Sequence, residues 1–310
     1  MFLLQLLPPT ARPPLSTLVA HVPPTTVGEL LRTWSFDPLV VTSLLGAACL
    51  YGRGAARRRR LSSTRLVESS FARGHRHHAI RFSMALMVIG VALVSPLAAL
   101  SHSLASAHMA QHLLLIMVAP LLLSSSRASL ILWRAIPPQV ATTLLRWRTR
   151  RWLHPFVRPR DQVLLWAVVH TATVWAWHAR GPYDAAVANP VLHALEHASI
   201  FFTALLAWSA ILTSTRARGA GALPAVLVTF GLSVQAALLG ALLTFAPRPW
   251  YDSYLLTSGQ WGTSPLADQQ LAGLLMWVPF GMVYLAVAVR LLLVLLGLGP
   301  PATSGAPGVA

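Results

Sequence analysis

Seven apolar stretches constrain this chain more than any short motif in it. They run near Leu39–Tyr51, Ile80–Leu100, Ala107–Leu123, Val163–His178, Leu192–Leu212, Pro224–Phe245 and Leu271–Val289. A helix needs about 20 mostly apolar residues to cross the hydrocarbon core, and a buried soluble helix explains runs of about 10–14. Several longer runs in succession have no soluble explanation. Only 10 % of the 310 residues are charged, whereas a soluble domain carries about 25 %, so the polar surface needed to wrap these runs in water is missing. The expected fold class is all-α, a polytopic transmembrane bundle of about seven spans.

Charge orients the bundle. The net charge is +16, and all 24 basic residues are arginine. Twenty of them fall between Gly52 and Arg81, between Ser124 and Gln162, at Arg216 and Arg218, and at Arg290; the other four are Arg12, Arg32, Arg180 and Arg248. Basic residues accumulate in cytoplasmic loops. Seven spans satisfy that alternation and six break it, which predicts an N-terminus outside and a C-terminus in the cytoplasm. The organisation follows: residues 1–35 as a Pro-rich outer arm, 36–298 as the membrane domain, and 299–310 as a disordered cytoplasmic tail. Arg57–Arg60 directly follow a span and lack the interleaved aromatics that stack on bases, so they read as topogenic rather than as a nucleic-acid patch. Arg146, Arg148, Arg150 and Arg151, with Trp147 and Trp152, suit an interfacial helix on anionic membrane lipid. The single cysteine, Cys49, excludes disulfides, CxxC chemistry and a cysteine metal site.

With orientation set, the scarce polar residues become informative. His75, His77, His78 and His154 fall in arginine-rich cytoplasmic segments and read as solvated, and His21 lies in the outer arm. His170 is mid-span and reads as a helix–helix hydrogen-bonding group. The others gather at the outer face: His102, His108 and His112 around the start of the third span, His178 at the end of the fourth, His193 and His197 at the start of the fifth. Every acidic residue except Glu68 and Asp161 is on that side. His108 and His112 are spaced i, i+4, as are His193 and His197. Such pairs project from one helix face about 6 Å apart along the axis, the spacing of helical HxxxH metal sites.

Two pairs at equal depth, with His178 at a third helix end, put a convergent metal site of His108, His112, His193, His197 and His178 within geometric reach, although spacing alone does not establish that the pairs converge. Imidazoles without cysteine suit copper or zinc, while hard cations would need more carboxylates. Glu196 and Asp268 read as orienting residues behind the ligands, as do Asp184, Gln111 and Met109. Haem is an alternative, because histidines on facing spans can ligate iron from both sides. A metal transporter is a third reading, but it needs polar ligands at mid-depth, where the spans offer little beyond His170 and Gln235. No catalytic constellation stands out, and a non-enzyme is expected.

Several runs are long enough to be specific. Ser95–Pro96–Leu97, His108–Met109–Ala110–Gln111–His112–Leu113–Leu114–Leu115 and Ala119–Pro120–Leu121–Leu122 resemble the SPL…HMxQHLLL…APLL signature of CtaG-type cytochrome c oxidase assembly factors. Trp177–His178 with Tyr183–Asp184 resembles that family's WH…YD element. His193–Ala194–Leu195–Glu196–His197 with Trp208 resembles its HxLEH motif and following tryptophan. Asp268–Gln269–Gln270 through Met276–Trp277–Val278–Pro279 resembles its DQQxAGxxMWxP motif, and Tyr51–Gly52–Arg53–Gly54 its first-span exit. The resemblance covers Tyr51 to Tyr284 in order. It departs at Ser124–Ser125–Ser126, in place of a glycine-proline, and at Ala179–Arg180, where a proline is common. It implies a seven-span protein of the bacterial plasma membrane that matures a haem–copper oxidase and is associated with copper supply. The implied partners are cytochrome c oxidase subunits and a periplasmic or extracellular copper chaperone.

Overall fold

A computed structural model describes residues 26–61, 68–126, 128–137, 139–140, 142–143, 159–214 and 223–298. Among them there is no strand. A one-turn helix α1 (Val27–Leu30) opens the described chain, closed by a reciprocal Thr26–Glu29 capping box, so the end of the Pro-rich arm is ordered. Then follow α2 (Pro38–Leu61), α3 (Glu68–Leu93), α4 (Pro96–Leu100), α5 (Ala105–Leu113), a π-helical turn (Leu114–Val118), α6 (Ala119–Ser125) and α7 (Ala128–Ala135). After α8 (Pro159–His178) come α9 (Arg180–Ala188), α10 (Pro190–Ser214), α11 (Leu223–Thr244) and α12 (Pro265–Leu295). The proposed interfacial segment 146–152, His154 and the tail 299–310 lie outside the described residues.

Among the described residues, six helical stretches are long and apolar enough to cross a membrane: Pro38–Arg57, Arg76–Leu100, Ala105–Ser125, Pro190–Ser214, Leu223–Thr244 and Pro265–Leu295. The expected fourth span is helix α8, 20 residues long, about 30 Å at 1.5 Å per residue. It is more polar than the six. Side chains such as Phe230 (64 % exposed) and Met282 (69 % exposed) point outward from these helices, an arrangement suited to lipid and costly in water.

Helical structure reaches further into the arginine-rich segment than a loop assignment from Gly52 to Arg81 allows. Helix α2 continues to Leu61 and α3 begins at Glu68, because arginine is a strong helix former and no proline interrupts the run. His75, His77 and His78 therefore stand on a helix. Two arginines also close helix ends: the Arg57 guanidinium donates to the Arg134 and Ile136 carbonyls, and Arg81 to the Ser125 carbonyl. Cations at helix C-termini complement unpaired carbonyls.

The span made by α5, the π turn and α6 is central. It is 61 % buried, against 11 % for each of the two spans before it, and it packs on α3, α10 and α12. Two proline-freed carbonyls tie it to its neighbours. Pro96 has no N–H for the carbonyl four residues back, Ala92, and the Gln111 side-chain amide donates to that carbonyl at 2.6 Å. Pro120 likewise leaves Ile116, whose carbonyl accepts from the Trp208 indole of α10 at 3.0 Å. Each vacancy becomes a cross-helix bond. Helices α11 and α12 cross at paired glycines: a Cβ on Gly240 would lie 2.8 Å from Trp277 Cβ, and one on Gly273 would lie 2.6 Å from the Gly240 carbonyl oxygen. Small residues let membrane helices approach this closely.

Candidate metal centre

The two HxxxH pairs do meet. Helix α5 carries His108 and His112 one turn apart, and α10 carries His193, Glu196 and His197 on the facing side. The α5 N-terminus lacks a cap of its own at Leu104. Asp268 of α12 supplies one, accepting from Ala105 N–H at 2.7 Å, Ser106 N–H at 3.1 Å and the Ser106 hydroxyl at 2.5 Å. A carboxylate is favoured at a helix N-terminus by the free N–H groups and the macrodipole. Asp268 thus positions the helix that bears His108 and His112 rather than touching an imidazole.

One donor atom each from His108, His112, Glu196 and His197 can be chosen so that all four lie within 4.8 Å of one another, and all four residues are buried. Two ligands on a shared ion at about 2.1 Å can be at most about 4.2 Å apart, so the group is close to ligand spacing. His108 Nε2 and His112 Nε2 are 2.9 Å apart, and the Glu196 oxygens lie 3.6 Å from each of them. Both Glu196 oxygens, His112 Nδ1, His197 Nε2, His178 Nε2 and His193 Nε2 are buried with no hydrogen-bond partner. Orphaned buried polar atoms are rare and costly. Among them, both Glu196 oxygens and His197 Nε2 belong to residues of the four-donor group, where a bound cation would give them a partner.

Tyrosines from α9 and from the segment between α11 and α12 border the group. The Tyr254 hydroxyl donates to the Ser101 carbonyl at 3.1 Å, since a carbonyl can only accept. Its oxygen is left to accept from the Tyr183 hydroxyl at 3.2 Å and from His108 Nδ1 at 3.1 Å. His108 therefore holds its proton on Nδ1 and turns the Nε2 lone pair toward the group. Burial pushes the Tyr254 and Tyr183 phenols well above their ordinary value, so both stay protonated donors. Tyr183 stacks on Tyr251 at 3.8 Å, and Tyr251 donates to the His178 carbonyl. Asp184 accepts from the Asp252 and Ser253 backbone and the Ser253 hydroxyl, and Gln269 accepts from Trp250 N–H, pinning the loop.

The predicted site residues fall at different distances from this group. Glu196, expected behind the ligands, offers a donor atom inside the group, because one turn of α10 brings it level with His193 and its neighbour His197. His178 and His193, expected as ligands, stand beside the four. The His178 ring is 5.5 Å from that of His112, with Nδ1 bonded to the Val174 carbonyl, and the His193 ring is 5.2 Å from that of His108. Met109 packs in the apolar core and Gln111 turns to Ala92, so neither borders the donors. Tyr254, Tyr251 and Ser101 were not singled out from sequence. Nothing in their spacing marks them, since they come from turns brought in by tertiary packing. His170 sits apart, its Nδ1 3.0 Å from the Thr203 hydroxyl, as its mid-span position suggested.

Residues 49–296 match the family model described as cytochrome c oxidase caa3 assembly factor (Caa3_CtaG). No curated protein and no solved structure matches the chain. The match runs from the first long helix to the end of the last and takes in all four donor residues. The chain belongs to the cytochrome c oxidase caa3 assembly factor family.

Proposed function

We propose that this assembly factor binds copper through His108, His112, His197 and Glu196 and supports its insertion into a cytochrome c oxidase subunit, acting as a non-catalytic carrier. The observation that carries the reading is the buried, cross-helix donor group with its unpartnered nitrogens and oxygens. A mixed imidazole and carboxylate set without thiolate suits copper or zinc, and of the two a haem–copper oxidase needs copper during its assembly. Copper is cargo here, so three imidazoles and one carboxylate near the outer end of the helices suit a site that must release its ion.

The membrane setting is part of the same proposal. Helix α8 is the seventh crossing, fourth in order, since it packs along α10 and α11 and ends at His178 beside the other outer histidines. The histidines then face the periplasm or exterior of a bacterial plasma membrane, and the arginine-rich ends face the cytoplasm. Haem has less support, because the imidazole rings stand only 4.2–5.5 Å apart, edge to face or tilted, and a porphyrin needs a flat slot. Transport has less again, as the mid-depth polar groups pair with each other: His170 with Thr203, Gln235 with Trp175.

The test is elemental analysis of the purified chain beside the double variant His108→Ala/His112→Ala. About one copper per chain is expected in the former and little in the latter, with folding intact. The same variant should fail to restore oxidase activity in a deletion strain. Unchanged copper in the double variant would defeat the site, and a Soret band that survives purification would favour haem.

A further inference from the structure

The four donors are buried, so copper held there needs a way in and out. His108 is 0 % exposed and His197 is 7 % exposed, while the tyrosine-bearing outer loop lies over His108. One line of imidazoles leads to the surface. His102 is exposed, in the turn between α4 and α5. Its ring meets that of His193 edge-on, at 4.9 Å between centroids. His193 is half-buried, and its ring stands 4.2 Å from that of His197 and 5.2 Å from that of His108. Its Nε2 is buried with no hydrogen-bond partner. Burial thus rises step by step from His102 through His193 to the centre, with neighbouring rings in contact throughout.

We propose that His102 and His193 form a transfer station through which copper passes between the outer surface and the buried centre. This rests on the copper reading above. Two imidazoles can hold copper(I) for a short time, and the next step exchanges one imidazole for another: a Cu–N bond to His197 or His108 forms as the bond to His102 breaks. The ion keeps its oxidation state and no proton leaves a reacting group, so no co-reactant is needed. A station on the path lowers the barrier in both directions and leaves the end states alone. Its removal must therefore slow loading and release by the same factor.

Full-length protein in detergent is mixed with copper(I), and the ion is then withdrawn by a chromogenic chelator, both followed by stopped flow. For His102→Ala, loading and removal should each slow about tenfold while the affinity they define stays within about twofold. His193→Ala should slow both further. His77→Ala, exposed at the opposite end, should match the unaltered protein. Rates unchanged in both His102→Ala and His193→Ala would overturn the station and leave the centre standing. A loss of affinity in His102→Ala without slowing would make it a ligand and overturn the station too. Failure of the unaltered protein to take up copper would overturn the centre and the station together.

Discussion

His170 and His197 are both imidazoles buried in long helices, yet their surroundings differ in one respect. His170 finds Thr203 on the neighbouring helix at 3.0 Å. His197 has a buried Nε2 with no partner, in company with Glu196 oxygens and His193 and His178 nitrogens in the same condition. A polar group in a span is expensive unless satisfied. At His170 the protein satisfies it internally, and the group serves packing. Around Glu196 several buried groups have no hydrogen-bond partner, and the reading proposed above assigns them to a shared cation. On that proposal, partner status, rather than residue type or depth, separates a packing histidine from a ligand.

The largest test of that contrast is His197→Ala against His170→Phe. His197→Ala should lower copper affinity by more than the roughly 10–100-fold typical of losing an orienting partner, read by chelator competition, and His170→Phe should leave it unchanged. Equal losses would erase the distinction. Next in size is Tyr254→Phe. Without the phenol, His108 Nδ1 loses its acceptor and the tautomer is no longer fixed. The affinity should fall by about 10–100-fold with secondary structure intact by circular dichroism. No change would remove Tyr254 from the site.

How much of this was readable beforehand follows from the range of each interaction. The apolar spans and the two i, i+4 histidine pairs are local patterns, and among the described residues six of the spans and both pairs are found on helices. That the pairs converge depends on how α5 packs against α10, which no local pattern encodes. Glu196 was visible as an orienting residue, because its spacing to His193 suggested support, and only tertiary packing places its carboxylate among the imidazole donors. Tyr254 sits in a turn without periodicity and had no signal. The helical continuation through Arg57–Arg60 could have been found, since a run of strong helix formers without proline extends the preceding span.

The proline-freed carbonyls bear on the same contrast, because they show this fold satisfying its backbone wherever it can. Trp208→Phe keeps the ring and removes the donor to Ile116 O, in the span that carries both α5 histidines. Stranding a buried carbonyl should cost about 1–3 kcal/mol, seen as a lower thermal midpoint, and Gln111→Leu should act alike at Ala92 O. Trp208→Phe without loss of stability would mean that a carbonyl can be left unpaired here at no cost, which would weaken the inference drawn from the orphaned imidazoles.

The smallest effect belongs to the satisfied histidine. Thr203→Val removes the hydroxyl facing His170 while preserving shape, and the hydroxyl also bonds back to the Ser199 carbonyl of its own helix. Side-chain hydrogen bonds between membrane helices average only about 0.6 kcal/mol, because the separated helices find other partners. The expected shift in thermal midpoint is therefore close to the limit of measurement, and copper content should not move. If Thr203→Val instead lowered copper content, His170 would be coupled to the outer centre through α8 and its His178 end. The packing histidine and the ligand histidines would then belong to one network rather than two.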